Sequence, residues 1–95
     1  PVRDAKEQRR LDAQARQQLA EKTRPLKKEI AQIDERLAAL STEQSALETR
    51  LSEPLPPAEI AEAGRRLKAI GDETAQLEER WLELSEALEG LQTLG

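Results

Sequence analysis

The sequence of 95 residues contains no cysteine, histidine, methionine, phenylalanine or tyrosine, and Trp81 is its only aromatic residue. Without cysteine there is no disulfide and no thiolate nucleophile, and without histidine the commonest metal ligand and general base is missing. A compact globular core usually draws on large aromatic side chains, whereas a seam between two helices needs only repeated Leu and Ile. We therefore expect a binding module with no catalytic residues, no metal site and no cofactor of its own.

Long apolar runs are also missing. No segment approaches the roughly 18 apolar residues of a membrane-spanning helix, and the N-terminus lacks the pattern of a signal peptide. These absences predict a cytoplasmic protein that makes no contact with membranes. The chain begins with Pro1 and not with Met, which suggests a piece of a longer protein.

Apolar residues recur at alternating intervals of four and three residues in two stretches of the chain. The first stretch runs from Leu26 to Leu51 and the second from Ile60 to Leu91, and both follow the heptad pattern of a coiled coil. Three prolines lie in the segment Glu53–Pro57 between them, and the last of these can begin the next helix. Two helices with one apolar stripe each can bury those stripes by folding back on each other. The pattern predicts an all-α fold, an antiparallel coiled-coil hairpin.

The register of this hairpin follows from the position of the turn. Facing residues should have numbers that add up to about 107 or about 114, and the turn favours the first register, which brings Trp81 close to Leu26. Gln44 and Thr74 are polar residues in the predicted seam, where such residues often fix the register. Trp81 is interpreted as a packing residue, with docking of a partner as the alternative.

A proline also interrupts the sequence before the first seam. Residues 2–22 are rich in helix formers but have only a thin apolar stripe. Pro25 should break or kink a helix, and Thr23 is a candidate cap for a new one. We therefore predict a separate or sharply bent N-terminal helix.

The predicted domain organisation has two parts. A basic helical extension occupies residues 1–24, and the coiled-coil hairpin occupies residues 25–95. Within the hairpin, helices at about 25–52 and 58–92 flank a proline-rich turn at 53–57.

The charge is distributed unevenly. Residues 1–28 carry nine basic and four acidic residues, a net charge of +5, whereas residues 29–95 carry six basic and fifteen acidic residues, a net charge of −9. Only the first part can attract a polyanion.

Eight of these nine basic residues, all except Lys22, fall on one side of a helical wheel, within an arc of about 140° that includes Arg3, and the apolar residues fall on the other side. A basic stripe of this kind suits contact with a phosphate backbone, although a charged face is also typical of any solvated helix. Because tyrosine and phenylalanine are absent, binding should not depend on base stacking. The candidate nucleic-acid-binding residues are Lys6, Arg9, Arg10, Arg16, Arg24, Lys27 and Lys28.

Adjacent carboxylates occur at Asp72-Glu73 and at Glu78-Glu79. Such pairs can serve acid–base or metal chemistry. Here the heptad pattern places them on the exposed side of a helix, and no histidine is available to complete a site. They are interpreted as solvated surface charge.

Two segments carry a resemblance to a known family. Thr23–Ile30 (TRPLKKEI) and Leu77–Leu84 (LEERWLEL), separated by a proline-containing turn, resemble the C-terminal domain of the ABC-F proteins. The proline before Leu26 and the Arg80-Trp81 pair carry most of the resemblance. Within the family, the chain is most similar to the Uup and YheS types.

The resemblance implies an accessory domain attached behind two ATP-binding cassettes. It implies that the parent protein binds ATP, and that the domain acts in DNA binding or, through ribosomal RNA, in ribosome engagement and translation. The expected partners are nucleic acid, the ribosome and the ATPase cassettes of the same protein, and the domain itself is expected to be a monomer. The alternative function is a spacer or protein-interaction coiled coil that docks a partner protein or the ATPase core.

Overall fold

The computed structural model describes residues 4–94, which form two long helices joined by a short turn. α1 spans Ala5–Leu51 and α2 spans Pro57–Leu94. The two helices pack against each other into a rod that measures 82 × 16 × 14 Å. The predicted all-α helical hairpin is confirmed.

Both helices begin with residues suited to a helix N-terminus. The side chain of Asp4 accepts a hydrogen bond of 2.7 Å from the backbone N–H of Glu7, which satisfies one of the free donors at the start of α1. α2 begins with Pro57, whose missing N–H would have no partner at this position. The carbonyl of Pro56 accepts the backbone N–H of Ile60 at 3.1 Å. The prediction that the last proline of the turn starts the second helix is confirmed.

The core is a single row of residues between the helices. Leu40 and Ile70 are each only 1% exposed. Full burial of such a side chain contributes about 1.5–3 kcal/mol to stability. The buried apolar residues are Ile33, Leu40, Ala63, Ile70 and Leu84.

Pro25 lies inside α1 and does not end it. Of the two predicted forms, the separate N-terminal helix is therefore wrong, and so is the assignment of Thr23 as a cap, whereas a bend of α1 at Pro25 stays a prediction. Thr23 is only 6% exposed, and its hydroxyl donates to the carbonyl of Ala20 at 3.3 Å. Leu19, Thr23 and Leu26 continue the four-three spacing across the proline, so packing on both sides offsets the ~3 kcal/mol that proline costs inside a helix.

The two polar residues of the predicted seam differ in their environment. Gln44 is exposed, and its amide donates to a carboxylate oxygen of Glu48 on the same helix at 3.1 Å. Thr74 is half-buried. Gln44 therefore does not fix the register from inside the core, and among the residues that the structure describes Thr23 is the buried polar residue of the seam.

Candidate nucleic-acid interface

The candidate binding residues lie along one helix. Because α1 is continuous, the rotation from residue to residue is maintained across Pro25 and the basic side chains remain on one side of the helix. The seam residues Leu19, Thr23 and Leu26 occupy the other side and are half-buried or buried. All seven candidates are exposed: Lys6, Arg9, Arg10, Arg16, Arg24, Lys27 and Lys28. These seven residues are called the basic stripe below. Arg3, which shares the same arc, lies outside the described residues.

Within residues 4–94, no side chain of the basic stripe forms an ion pair. Two of the acidic residues nearby already have hydrogen-bond partners on α1. Asp4 caps the helix, and Asp12 accepts a hydrogen bond of 3.0 Å from the side chain of Gln8. The positive charge of the stripe is therefore not neutralised by local ion pairs.

Exposed alanines lie among the basic residues. Ala13 is four residues after Arg9 and three before Arg16, and Ala20 is four residues after Arg16. Residues at these spacings are neighbours on a helix surface. Because alanine projects only a methyl group, a bound molecule can approach the backbone of α1 closely between the longer basic side chains.

The basic residues of the hairpin body behave differently, since four arginines pair with glutamates across the two helices. Each step along this series is seven residues on both helices, and the charges alternate in sign. We call the series the charge ladder. Its nitrogen–oxygen distances are 2.6 Å for Arg80–Glu29, 2.5 Å for Arg36–Glu73, 2.5 Å for Arg66–Glu43 and 3.5 Å for Arg50–Glu59.

Three carboxylates of the charge ladder have shifted pKa values. The hydrogen bond from Arg80 lowers the pKa of Glu29 below its ordinary value. Arg66 has the same effect on the pKa of Glu43, and Arg36 on that of Glu73. A charge-assisted hydrogen bond to a carboxylate favours its ionised form. These glutamates are thus held in the charged state that the pairing requires.

The charge ladder defines the register of the hairpin. The residue numbers of each pair add up to 109, which agrees with the first of the two predicted registers. If one helix moved by one heptad, Glu29 would lie opposite Glu73 and Arg36 opposite Arg66. Like charges in these positions disfavour the slipped arrangement. The ladder therefore selects one register among alternatives that a repetitive leucine seam would permit.

Sequence reasoning did not identify the charge ladder. A signal was present, because Glu29, Arg36, Glu43 and Arg50 alternate in sign at intervals of seven residues. A second alternating series lies on α2, but the two series can be matched only when the register of the helices is known. The role of these residues follows from the fold and not from a local motif.

The adjacent carboxylates in the sequence of α2, Asp72-Glu73 and Glu78-Glu79, form no compact acidic site. Glu73 is engaged with Arg36 in the ladder, whereas Asp72, Glu78 and Glu79 are exposed. In residues 4–94, no three acidic side chains come together in a way that could hold a metal ion. Neither of the two helices has an apolar stretch long enough to cross a membrane.

Comparison with known proteins identifies the family. A family model described as ABC transporter C-terminal domain matches residues 21–86. The chain belongs to this family. No curated protein and no solved structure gave a significant match.

The family match includes only part of the basic stripe. The ABC transporter C-terminal domain match covers most of the paired part of both helices, together with Arg24, Lys27 and Lys28 of the basic stripe. Lys6, Arg9, Arg10 and Arg16 precede it. The chain is thus a small helical accessory domain of an ABC protein and not a catalytic ATPase domain.

Proposed function

We propose that this chain is a nucleic-acid-binding accessory domain of an ABC-F ATPase, and that the basic stripe contacts the phosphate backbone. The family match supports an accessory role beside ATP-binding cassettes. The resemblance of Thr23–Ile30 and Leu77–Leu84 to the Uup and YheS types supports the assignment to the ABC-F group.

The proposed parent protein binds and hydrolyses ATP in its cassettes and works in the cytoplasm. Its accessory domain, as a monomer, holds DNA or ribosomal RNA near those cassettes. Both polymers present the same repeating phosphates to a helix with a basic face. The domain itself needs no cofactor for this contact.

One observation carries the proposal: the basic stripe is exposed and without ion pairs in residues 4–94, while four arginines of the body are paired in the charge ladder. The stripe extends over roughly 33 Å from Lys6 to Lys28 at 1.5 Å per residue. A phosphate is present every ~1.7 Å along duplex DNA, so several of these side chains can reach phosphates at once. The alanines between them allow the phosphate backbone to approach α1 closely.

The rest of the chain limits where nucleic acid can bind. Residues 29–95 have a net charge of −9, which repels phosphate and confines the contact to the side of α1 that carries the basic stripe. The single tryptophan, Trp81, lies in that acidic part, and no other aromatic side chain can stack on bases. We therefore expect contact with the backbone and little dependence on base sequence.

A salt titration tests this function directly. Binding of the chain to a fluorescently labelled DNA duplex is measured by anisotropy at several salt concentrations, and parallel titrations use an RNA duplex and a single DNA strand. Each phosphate contact contributes about −0.9 to the slope of log K against log salt on B-DNA. Contact by all seven residues would give a slope of about −6.

We expect a slope of about −3 to −6, with similar affinities for duplexes of unrelated sequence. A flat salt dependence, or no binding at low salt, would reject the function. The comparison of DNA with RNA then shows which polymer is preferred. A strong preference for one base sequence would contradict backbone contact as the main source of affinity.

A further inference from the structure

Two large apolar side chains that are consecutive in the sequence of α2 are exposed. Trp81 is 38% exposed although it occupies a seam position, and Leu82 is 54% exposed. Leu82 falls outside the four-three spacing of α2, so packing within the hairpin does not require an apolar residue there. Together these two residues form a surface that we call the Trp81–Leu82 patch. Exposed apolar residues that cluster on a soluble helix mark interaction sites more often than those that occur singly.

Acidic residues surround this patch on α2. Glu78, Glu79 and Glu86 lie three or four residues from Leu82, which makes them its neighbours on the helix surface. Within residues 4–94, none of the three forms an ion pair. Arg80, the nearest cation in sequence, is occupied by Glu29 and Glu83. The patch is therefore bordered on α2 by three carboxylates that are free of ion pairs within residues 4–94.

The approach to the patch along α2 is open. Gly71 and Ala75 precede it on the same side of the helix, and a Cβ atom added to Gly71 would meet no atom within 4 Å. The glycine is thus not needed for contact with α1, although it costs up to about 1 kcal/mol relative to alanine in a helix. A second helix could lie along this side without a clash from large side chains.

We propose that the Trp81–Leu82 patch docks an amphipathic helix of a partner protein, with Leu or a similar apolar residue at its centre and Lys or Arg at its margins. Charge complementarity favours this occupant, because three carboxylates without ion pairs in residues 4–94 lie on the helix surface around Leu82. An exposed tryptophan beside an aliphatic residue is a typical anchor of such an interface. Nucleic acid does not fit the patch, since the same carboxylates repel phosphate.

The basic end of a second copy is a poorer occupant. Its residues Arg9, Arg10 and Arg16 match these carboxylates in charge, but its apolar side is thin. Leu19 is already part of the seam with α2 and is half-buried. Between Arg9 and Leu19, Leu11 is therefore the one large apolar side chain left for a contact. A single leucine gives too small an apolar contact for a stable interface.

Trp81 is the only tryptophan and serves as a reporter of its own site. The probe is a synthetic amphipathic helix of about 20 residues with Leu along one side, Lys on the flanks and no aromatic residue. Titration of this peptide into the chain should shift the Trp81 emission to shorter wavelength and reach saturation, because the indole moves from water into an apolar contact. Two control peptides have the same length: one carries Glu in place of Lys, and the other carries Ser in place of Leu.

Variants of the chain locate the binding. Leu82→Ser should weaken binding of the Lys–Leu peptide by about tenfold, the usual loss for an anchor residue. Ile60→Ser removes another exposed apolar side chain, 48% exposed and close to the turn, and should leave the affinity unchanged. The triple change of Glu78, Glu79 and Glu86 to Gln should also weaken binding, whereas the same change at Glu48, Glu53 and Glu62 should have little effect. Circular dichroism confirms that each variant keeps its helices.

Three results would overturn the proposal. The first is the absence of a shift with the Lys–Leu peptide. The second is an equal shift with the Ser-containing peptide, which would mean that charge alone drives the contact. The third is a shift that depends on the concentration of the chain without any peptide, together with a dimer in sedimentation experiments, which would identify a second copy as the occupant. The inference does not depend on nucleic-acid binding, because the two surfaces share no residue.

Discussion

Arg66 on α2 binds Glu43 on α1 through two hydrogen bonds, from Nε to Oε2 at 2.5 Å and from Nη2 to Oε1 at 2.7 Å. This two-pronged geometry matches the fork of the guanidinium to the two oxygens of the carboxylate. The residues are 23 positions apart in the sequence, so the contact forms only when the hairpin adopts its register. The Arg66–Glu43 pair therefore reports directly on how the two helices are aligned.

Charge reversal at this pair tests the register. Arg66→Glu alone should lower the melting temperature, because it places Glu opposite Glu43 between the flanking pairs of the charge ladder. Adding Glu43→Arg should restore most of the loss, since the ion pair is rebuilt in the opposite orientation. Reversal of Glu62, which forms no ion pair in residues 4–94, serves as the control and should change the melting temperature little. A double variant that melts lower than both single variants would contradict the observed register.

Truncation of core residues should follow the burial gradient along the seam. Leu40→Ala is expected to destabilise the hairpin by about 2–5 kcal/mol, the usual cost of deleting a fully packed Leu side chain. Leu37→Ala is expected to cost less, because Leu37 is only half-buried. Urea unfolding measures both. Equal losses would show that Leu40 does not occupy the centre of the core.

Pro25 provides a test of the continuity of α1. Because the helix runs through this residue, Pro25→Ala should restore a backbone donor for the carbonyl of Glu21 and remove the steric clash of the ring. The expected gain in stability is up to about 3 kcal/mol. Ala38→Gly, at another exposed position of α1, is a control of opposite sign with an expected loss of about 1 kcal/mol. A loss of stability in Pro25→Ala would mean that the proline stabilises a local conformation other than the helix.

The pH dependence follows from the lowered pKa values of Glu29, Glu43 and Glu73. Their ordinary pKa is 4.5, and the folded values lie below it because of the hydrogen bonds from arginine. A carboxylate with a lower pKa in the folded state adds stability above its ordinary pKa, and this contribution is lost as the pH falls through the folded pKa. Stability from the ladder should therefore decline from about pH 4.5 downward.

The measurement compares the chain with a variant in which these three glutamates are changed to Gln. The difference in melting temperature should be constant near neutral pH and should shrink below about pH 4.5, because the variant has no carboxylates to protonate at these positions. Added salt should reduce the difference at neutral pH, since the ion pairs are exposed. A difference that stays constant down to pH 3 would exclude the ladder as the source.

Much of the fold could be predicted because its signals are local. The four-three spacing from Leu26 onward and the prolines before α2 are sufficient to define two helices and a turn. Thr23 could not be recognised as a seam residue, because a threonine two residues before Pro25 equally suggests a helix start. Packing against α2 decides between these possibilities, and packing is a property of the folded chain. The pairing of Glu43 with Arg66 could not be predicted for the same reason, because it depends on how the two helices pack.

The candidate site is predictable in a different way. The helical spacing of the basic stripe follows from the sequence, and its exposure follows from the position of the seam on the opposite side of α1. Whether nucleic acid binds there remains a prediction, because geometry shows that the side chains are accessible and not what they contact. Because Arg66 is paired with Glu43, reversing its charge would also disturb the hairpin, so a control for net charge uses other cations of the body.

Position-matched charge reversal tests nucleic-acid binding most directly. Arg9→Glu with Arg16→Glu removes two cations of the basic stripe, and Arg65→Glu with Lys68→Glu removes two exposed cations of the body that form no ion pair in residues 4–94. Both double variants change the net charge equally, so they differ only in where the charge lies. The first should lower the affinity for a DNA duplex strongly and make the salt slope shallower by about two, since each lost phosphate contact contributes about 0.9. The second should leave the slope unchanged, whereas equal losses in the two variants would mean that net charge alone governs binding and that the basic stripe is not a site.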